Sequence, residues 1–148
     1  MRHFKKYYKS LALFGLLFFS ISCGDKENQN PASFIPNVPV NFYIYPNTID
    51  YIIVGDFKEY NNQGYRGIII YRLDQTTFLA YEKTCPFDAN EETARVEFHY
   101  PTWSLIDSTC MSSYNLLDGM PNGGPSAIPL LQYGTHYDGN QLHIYNNI

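Results

Sequence analysis

Residues 64–84, GYRGIIIYRLDQTTFLAYEKT, constrain the fold more than any other stretch of the chain. Two apolar runs rich in β-branched and aromatic residues flank a polar DQ break, which is the pattern of a β-hairpin. Four further stretches are rich in strand formers. VPVNFYIYP (38–46) and YIIVGDF (51–57) read as strands, and ARVEFHYPTWSLID (94–107) reads as a hairpin in which Val96, Phe98 and Tyr100 alternate against Glu97 and His99. LLQYGTHYDGNQLHIYN (130–146) reads as a hairpin closed at Asp138-Gly139, a pair able to supply the positive φ angles of a tight turn. Beyond the N-terminal leader no helical period lasts more than a turn or two, and there is no internal repeat. With 17% aromatic residues, 14 of them Tyr, and 148 residues in all, the chain is predicted to form one all-β domain over 38–148, an antiparallel sandwich or barrel.

The first 22 residues stand apart from that domain. MRHFKKYYKS carries Arg2, Lys5, Lys6 and Lys9, and LALFGLLFFSIS is an apolar run of signal-peptide length, too short for a permanent bilayer span. The junction FSISC, followed by the polar GDKENQNPASFIPN, resembles a bacterial lipobox and implies a mature chain that begins at lipidated Cys23 with a tether over 23–37. Two or three acyl chains hold a protein on a membrane where one does not. The expected location is therefore the bacterial cell envelope, anchored at the outer membrane, with an envelope protein of unknown identity as partner.

Loss of residues 1–22 removes four basic residues and no acidic one, leaving six against 14 and a formal charge of −8. Counterion release gives such a chain no electrostatic reason to bind nucleic acid. Of the three cysteines, Cys85 and Cys110 then remain in an oxidising compartment, where an even pair suggests a disulfide.

Two loops interrupt the strand pattern, TCPFDANEET and DSTCMSSYNLLDGMPNGGPSAIPLLQY. The second resembles a cluster-binding loop of the Rieske iron–sulfur family. Ser112 and Tyr114 stand where that family has Ser and an aromatic, and Asn115 where it has Asp. Gly119 matches its turn, Gly124-Pro125-Ser126 its Gly-Pro-Ala, and Pro129-Leu130 with Tyr133 its tail. The resemblance covers roughly residues 66–146 and implies a Rieske-like β-sandwich or barrel bearing a small two-loop subdomain. IPNVPVNFYIY, GYRGIIIYR and FLAYEKTCPFD also resemble small lipoproteins of Bacteroidetes-type bacteria that look like Rieske proteins without the ligand set.

In Rieske centres two cysteines hold one iron and two histidines the other. The resemblance places Cys85 at the first Cys position, Phe87 at the first His, Asp107 at the second Cys and Cys110 at the second His. It implies that these former cluster positions hold no cofactor. It also implies that Cys85 and Cys110 lie close enough for a disulfide to replace the cluster, with Phe87 filling vacated volume as core. No metal is expected. His99 alternates with core residues and reads as solvent-facing, while His136 and His143 flank the Asp138-Gly139 turn and could face each other, two ligands alone making a weak site. There is no catalytic triad order, acid pair or phosphate loop, and Tyr43, Tyr45, Tyr71, Tyr81 and Trp103 read as core aromatics. The expected function is a non-catalytic interaction or assembly module. The alternatives are a [2Fe–2S] electron-transfer protein using Cys85, Cys110 and His99 or Asp107, and a thiol/disulfide redox protein built on Cys85 and Cys110.

Overall fold

The computed structural model describes residues 35–147; the signal segment, Cys23 and the tether up to residue 34 lie outside them. Ten strands and no helix occur among the described residues, in agreement with the all-β expectation. A six-stranded antiparallel sheet has the order β1 (Asn41–Ile44), β10 (Leu142–Tyr145), β9 (Gln132–Tyr137), β4 (Phe78–Glu82), β3 (Ile68–Arg72) and β2 (Phe57–Tyr60). A four-stranded sheet runs β5 (Val96–His99), β6 (Ser104–Asp107), β7 (Ser113–Asn115) and β8 (Pro121–Gly123).

The period of two in β3 divides the interior. Side chains on a strand alternate between faces, and every residue of Ile68–Arg72 is buried. Ile68 and Ile70 join Val40, Ile44, Phe78, Leu142 and Ile144 in one core. Ile69 and Tyr71 join Tyr81, Val96, Leu105 and Tyr114 in the other, which lies beneath the two loops singled out above. A continuous apolar run, IIIY, is what a strand buried on both faces requires.

Glu82, at the end of β4, fixes where the second core meets those loops. Its carboxylate is fully buried. One oxygen accepts from the Arg66 amide at 2.8 Å, the Thr84 amide at 3.1 Å and the Thr84 hydroxyl at 2.7 Å; the other accepts from the Tyr65 amide and the Tyr133 hydroxyl, each at 2.8 Å. A buried charge is tolerable when its lone pairs are taken up this fully. The contact ties the 61–67 turn, the first residues of the Cys85 loop and β9 to one point.

Two stretches depart from the sequence reading. Residues 51–56, read from the sequence as a strand, form none: Ile52 is buried, Tyr51, Ile53 and Val54 are exposed, and the chain turns at Val54-Gly55. The buried Arg72 guanidinium explains the difference, because it donates to the Ile52 carbonyl and the Asn47 side chain at 2.8 Å and gathers this segment to itself. Tyr100 leaves the strand alternation as well: the β5–β6 connection begins at Tyr100-Pro101 and Trp103 sits at φ 50°, which leaves Tyr100 61% and Trp103 52% exposed. Tyr71 and Tyr81 are core residues as expected, whereas Tyr43, Tyr45 and Trp103 are surface residues.

Burial, reinforced by the Glu82 charge, holds the Tyr133 phenol well above its ordinary range. The phenol ionises near pH 10 in an unfolded chain, so above that pH the folded state retains a proton that the unfolded state has lost. The stabilisation is whole below about pH 10 and falls as pH rises beyond it. Tyr133→Phe is expected to cost about 1.5–3 kcal/mol at neutral pH and to make the alkaline decline in melting temperature shallower. Tyr81, pushed up to about 12 by burial and by Asp118, keeps some of that decline in place. Thermal melts of the two proteins across alkaline pH check both effects.

Candidate functional site

The loop joining β4 to β5 and the loop joining β6 to β7 meet at one end of the four-stranded sheet. The first loop is clamped at its base, where the Val96 amide donates to the Lys83 carbonyl at 2.7 Å and the Cys85 amide to the Ala94 carbonyl at 3.4 Å. Arg66 holds its outer arc by donating to the carbonyls of Ala89, at 3.0 Å, and Glu92. The second loop is a tight turn in which the Met111 amide donates to the Asp107 carbonyl at 2.8 Å and the Asp107 amide to the Ser112 carbonyl at 2.9 Å. Met111 lies in the left-handed region at φ 62°.

These turns bring Cys85 and Cys110 together. Their sulfurs are 3.6 Å apart and both are free thiols. The disulfide expected from the resemblance, which needs about 2.05 Å between sulfurs, is therefore not formed in this structure; the proximity it presumed is present. Each sulfur is engaged elsewhere, Cys85 with the Tyr114 hydroxyl at 3.2 Å and Cys110 with the Ser112 hydroxyl at 3.1 Å. Phe87 is half-buried and packs against the second core, as a residue with no donor atom does in such a place.

The site also contains two carboxylates. Asp107 is fully buried; one oxygen accepts from the amides of Thr109 at 2.6 Å and Cys110 at 3.4 Å, and the other, Oδ2, has no partner. Asp88 is half-buried, and its Oδ1 is likewise buried without a partner. Cys85, Asp88, Asp107 and Cys110 can each offer one donor atom such that all four lie within 4.8 Å of one another. Burial pushes the Cys85 thiol up, and the neighbouring Asp88 and Cys110 add to the shift while the Tyr114 hydroxyl opposes it.

Asp88 escaped the sequence reading, although a signal for it was present. The two loops carry Cys-x-x-Asp at 85–88 and Asp-x-x-Cys at 107–110, the same spacing in mirror order. The histidines do not join this group. His99 is exposed and bonds to the Thr102 hydroxyl at 2.9 Å. His136 and His143 do stand opposite each other in the β9–β10 register, but His143 contacts Asn41 at 2.7 Å and stacks on Tyr43 at 4.3 Å.

Behind the second loop, Gly124 at φ +79° lies against the Met111-Ser112 backbone, where an added Cβ would come within 2.3 Å of the Met111 carbonyl oxygen. Ser126, two residues on, donates its amide to the Ser112 hydroxyl at 3.2 Å. Gly124→Ala is expected to destabilise the domain by about 1–3 kcal/mol. Because it displaces the Ser112 side of the loop, it should also speed alkylation of Cys110 in the native protein. Denaturant titration and timed thiol labelling measure the two effects.

No protein family and no curated protein matches the chain. Among solved structures it is similar to the ferredoxin of carbazole 1,9a-dioxygenase from Nocardioides aromaticivorans IC177, with a TM-score of 0.49 and 16% identity over 75% of this chain and 100% of that one. A second similar chain comes from a complex of reduced oxygenase and oxidized ferredoxin in carbazole 1,9a-dioxygenase, with a TM-score of 0.48 and 17% identity over 73% and 94% of the two chains. A third is described as the NADH-dependent nitrite reductase small subunit of Mycobacterium tuberculosis, with a TM-score of 0.46 and 16% identity over 76% and 99%.

Proposed function

We propose that this chain is a lipid-anchored, non-catalytic interaction module of the cell envelope, built on a Rieske-like two-loop domain that no longer carries a [2Fe–2S] cluster. The donor set at the loop tips is the observation that supports this most. Phe87 has no ligand atom, Cys110 and Asp107 replace His and Cys at the other positions, and all available donors crowd within 4.8 Å. Two irons side by side need ligands splayed at opposite ends, with imidazoles on one of them. The residues present do not fit that group.

Thiol exchange fits less well than an interaction role. The attacking species is a thiolate, and burial pushes the Cys85 thiol up, away from the range of a ready nucleophile. The surface gives the interaction reading its support. Phe98, half-buried, stacks on Phe57 at 4.4 Å and meets the exposed Trp103 edge-on at 5.6 Å and the exposed Tyr100 at 4.9 Å, so that a ridge of rings stands on the β5–β6 turn, at the end of that hairpin opposite the loops. Exposed aromatic clusters of this kind mark binding surfaces more often than isolated apolar residues do.

Two outcomes are expected. Full-length protein made with iron available should be free of visible iron–sulfur bands and contain far less than one iron per chain by elemental analysis; near-stoichiometric iron with the spectrum of a [2Fe–2S] centre overturns the loss of the cluster. Cys23→Ser should move the protein from the membrane to the soluble envelope fraction, and retention in the membrane means that the anchor is elsewhere.

A further inference from the structure

We propose that Cys85, Asp88, Asp107 and Cys110 together bind a single divalent cation of zinc character, in the space between the two loops. A single ion here presupposes the loss of the two-iron cluster proposed above. Four donors within 4.8 Å of one another enclose one ion. Around tetrahedral zinc, with sulfur at about 2.3 Å and carboxylate oxygen at about 2.0 Å, neighbouring donors lie about 3.3–3.8 Å apart. The sulfurs already stand at 3.6 Å, an edge of that tetrahedron, and far from the spacing of a disulfide.

The carboxylates supply the independent observation. Asp107 is fully buried; its Oδ1 accepts from the amides of Thr109 and Cys110, its Oδ2 is buried with no partner, and one of its oxygens lies within 4.8 Å of the other three donors. Asp88 is half-buried, but its Oδ1 atom is likewise buried with no partner. Buried polar atoms are nearly always paired, and a cation satisfies both of these at once. Sulfur donors select against magnesium and calcium, and the pairing of thiolate with carboxylate suits zinc among the available divalent ions.

The groups around the donors suit a metal-bound thiolate. On binding, each thiol loses its proton to solvent and its sulfur donates an electron pair to the ion. The Tyr114 hydroxyl at 3.2 Å then donates to the Cys85 sulfur. The Ser112 hydroxyl accepts from the Ser126 amide and from the Cys110 thiol at 3.1 Å; once that thiol has given up its proton, the hydroxyl can donate to the sulfur instead. Two thiolates and two carboxylates outweigh the ion's charge, and these hydroxyls, with the Thr109 and Cys110 amides, bear on the excess. Cys110 and Asp88, both half-buried, lie on the side open to solvent and give the ion its way in.

The test uses the full-length chain in detergent, reduced with a phosphine and stripped with a chelator. Zinc is titrated against a chromophoric competitor, and cobalt serves as a spectroscopic stand-in. One zinc per chain is expected, with cobalt giving the intense visible bands of a tetrahedral site and a thiolate charge-transfer band. Asp88→Asn, which changes a half-buried side chain and leaves the fold intact, should weaken zinc binding at least tenfold, as should Asp107→Asn. Tyr114→Phe should weaken it about 10–100-fold, while His143→Ala should not alter it. Melting curves of the stripped variants identify any that misfold, and Asp88→Asn decides the matter if Asp107→Asn does. Failure of the reduced chain to take up zinc, or equal affinity in wild type and Asp88→Asn, overturns the site. Iron with [2Fe–2S] bands overturns the loss of the cluster instead, whereas a chain lacking both cluster and zinc keeps the earlier reading and removes only this one.

Discussion

The buried carboxylate of Glu82 is the contact on which the rest of the domain depends. Five donors from four residues converge on it: two amides in the 61–67 turn, the amide and hydroxyl of Thr84, and the phenol of Tyr133. Gly64 is shaped around it, since a Cβ there would lie 2.4 Å from the Glu82 Oε2 atom. Taken singly these hydrogen bonds are ordinary. Together they make the end of β4 unable to move without exposing an unpaired charge to the core, which costs several kcal/mol. Cys85 begins its loop three residues later and inherits that fixed starting point.

A second constraint follows from the β3–β4 hairpin, which both cores use as a wall. Ile68 and Ile70 face one core, Ile69 and Tyr71 the other, so a shift of register by one residue would exchange the two sets. Tyr71 and Ile70 are not interchangeable in volume, and the second core must also admit Tyr81 and Tyr114 beside the loops. The position of the site is thus set by which face of one strand carries the larger side chains.

The hairpins at 68–82, 96–107 and 132–145 are legible in the sequence because the turn residues and the alternation agree there. At 51–56 they disagree. The run of β-branched and aromatic residues favoured a strand, but Gly55 at φ +86° and the buried Arg72, distant in sequence, bend the chain there. Tyr100 and Trp103 were open to misreading for a related reason: an aromatic on a short hairpin has the same local pattern whether its turn folds inward or away. Of the site, Cys85 and Cys110 were legible as a pair, and Phe87 as a departure from the ligand pattern. The paired carboxylates were less visible, because Asp107 stood in a position reserved for another residue type and Asp88 in none. Their partnership depends on unpaired oxygens, which only coordinates reveal.

The groups that touch the sulfurs bear on what such a site can hold. The Tyr114 hydroxyl lies in hydrogen-bond contact with the Cys85 sulfur, and the Ser112 hydroxyl accepts from the Cys110 thiol, so each sulfur has a polar partner. Gly124, close against the Met111-Ser112 backbone, and Ser126, whose amide donates to the Ser112 hydroxyl, hold Ser112 in place from behind. A frame of this kind fixes the angle between two loops and the polarity at their tips without choosing among ligands. Substitution of the donors themselves can then leave the frame folded, provided each buried donor introduced finds a partner. For Asp107, one oxygen has that partner in the turn's own amides, whereas the other is buried between the loops without one.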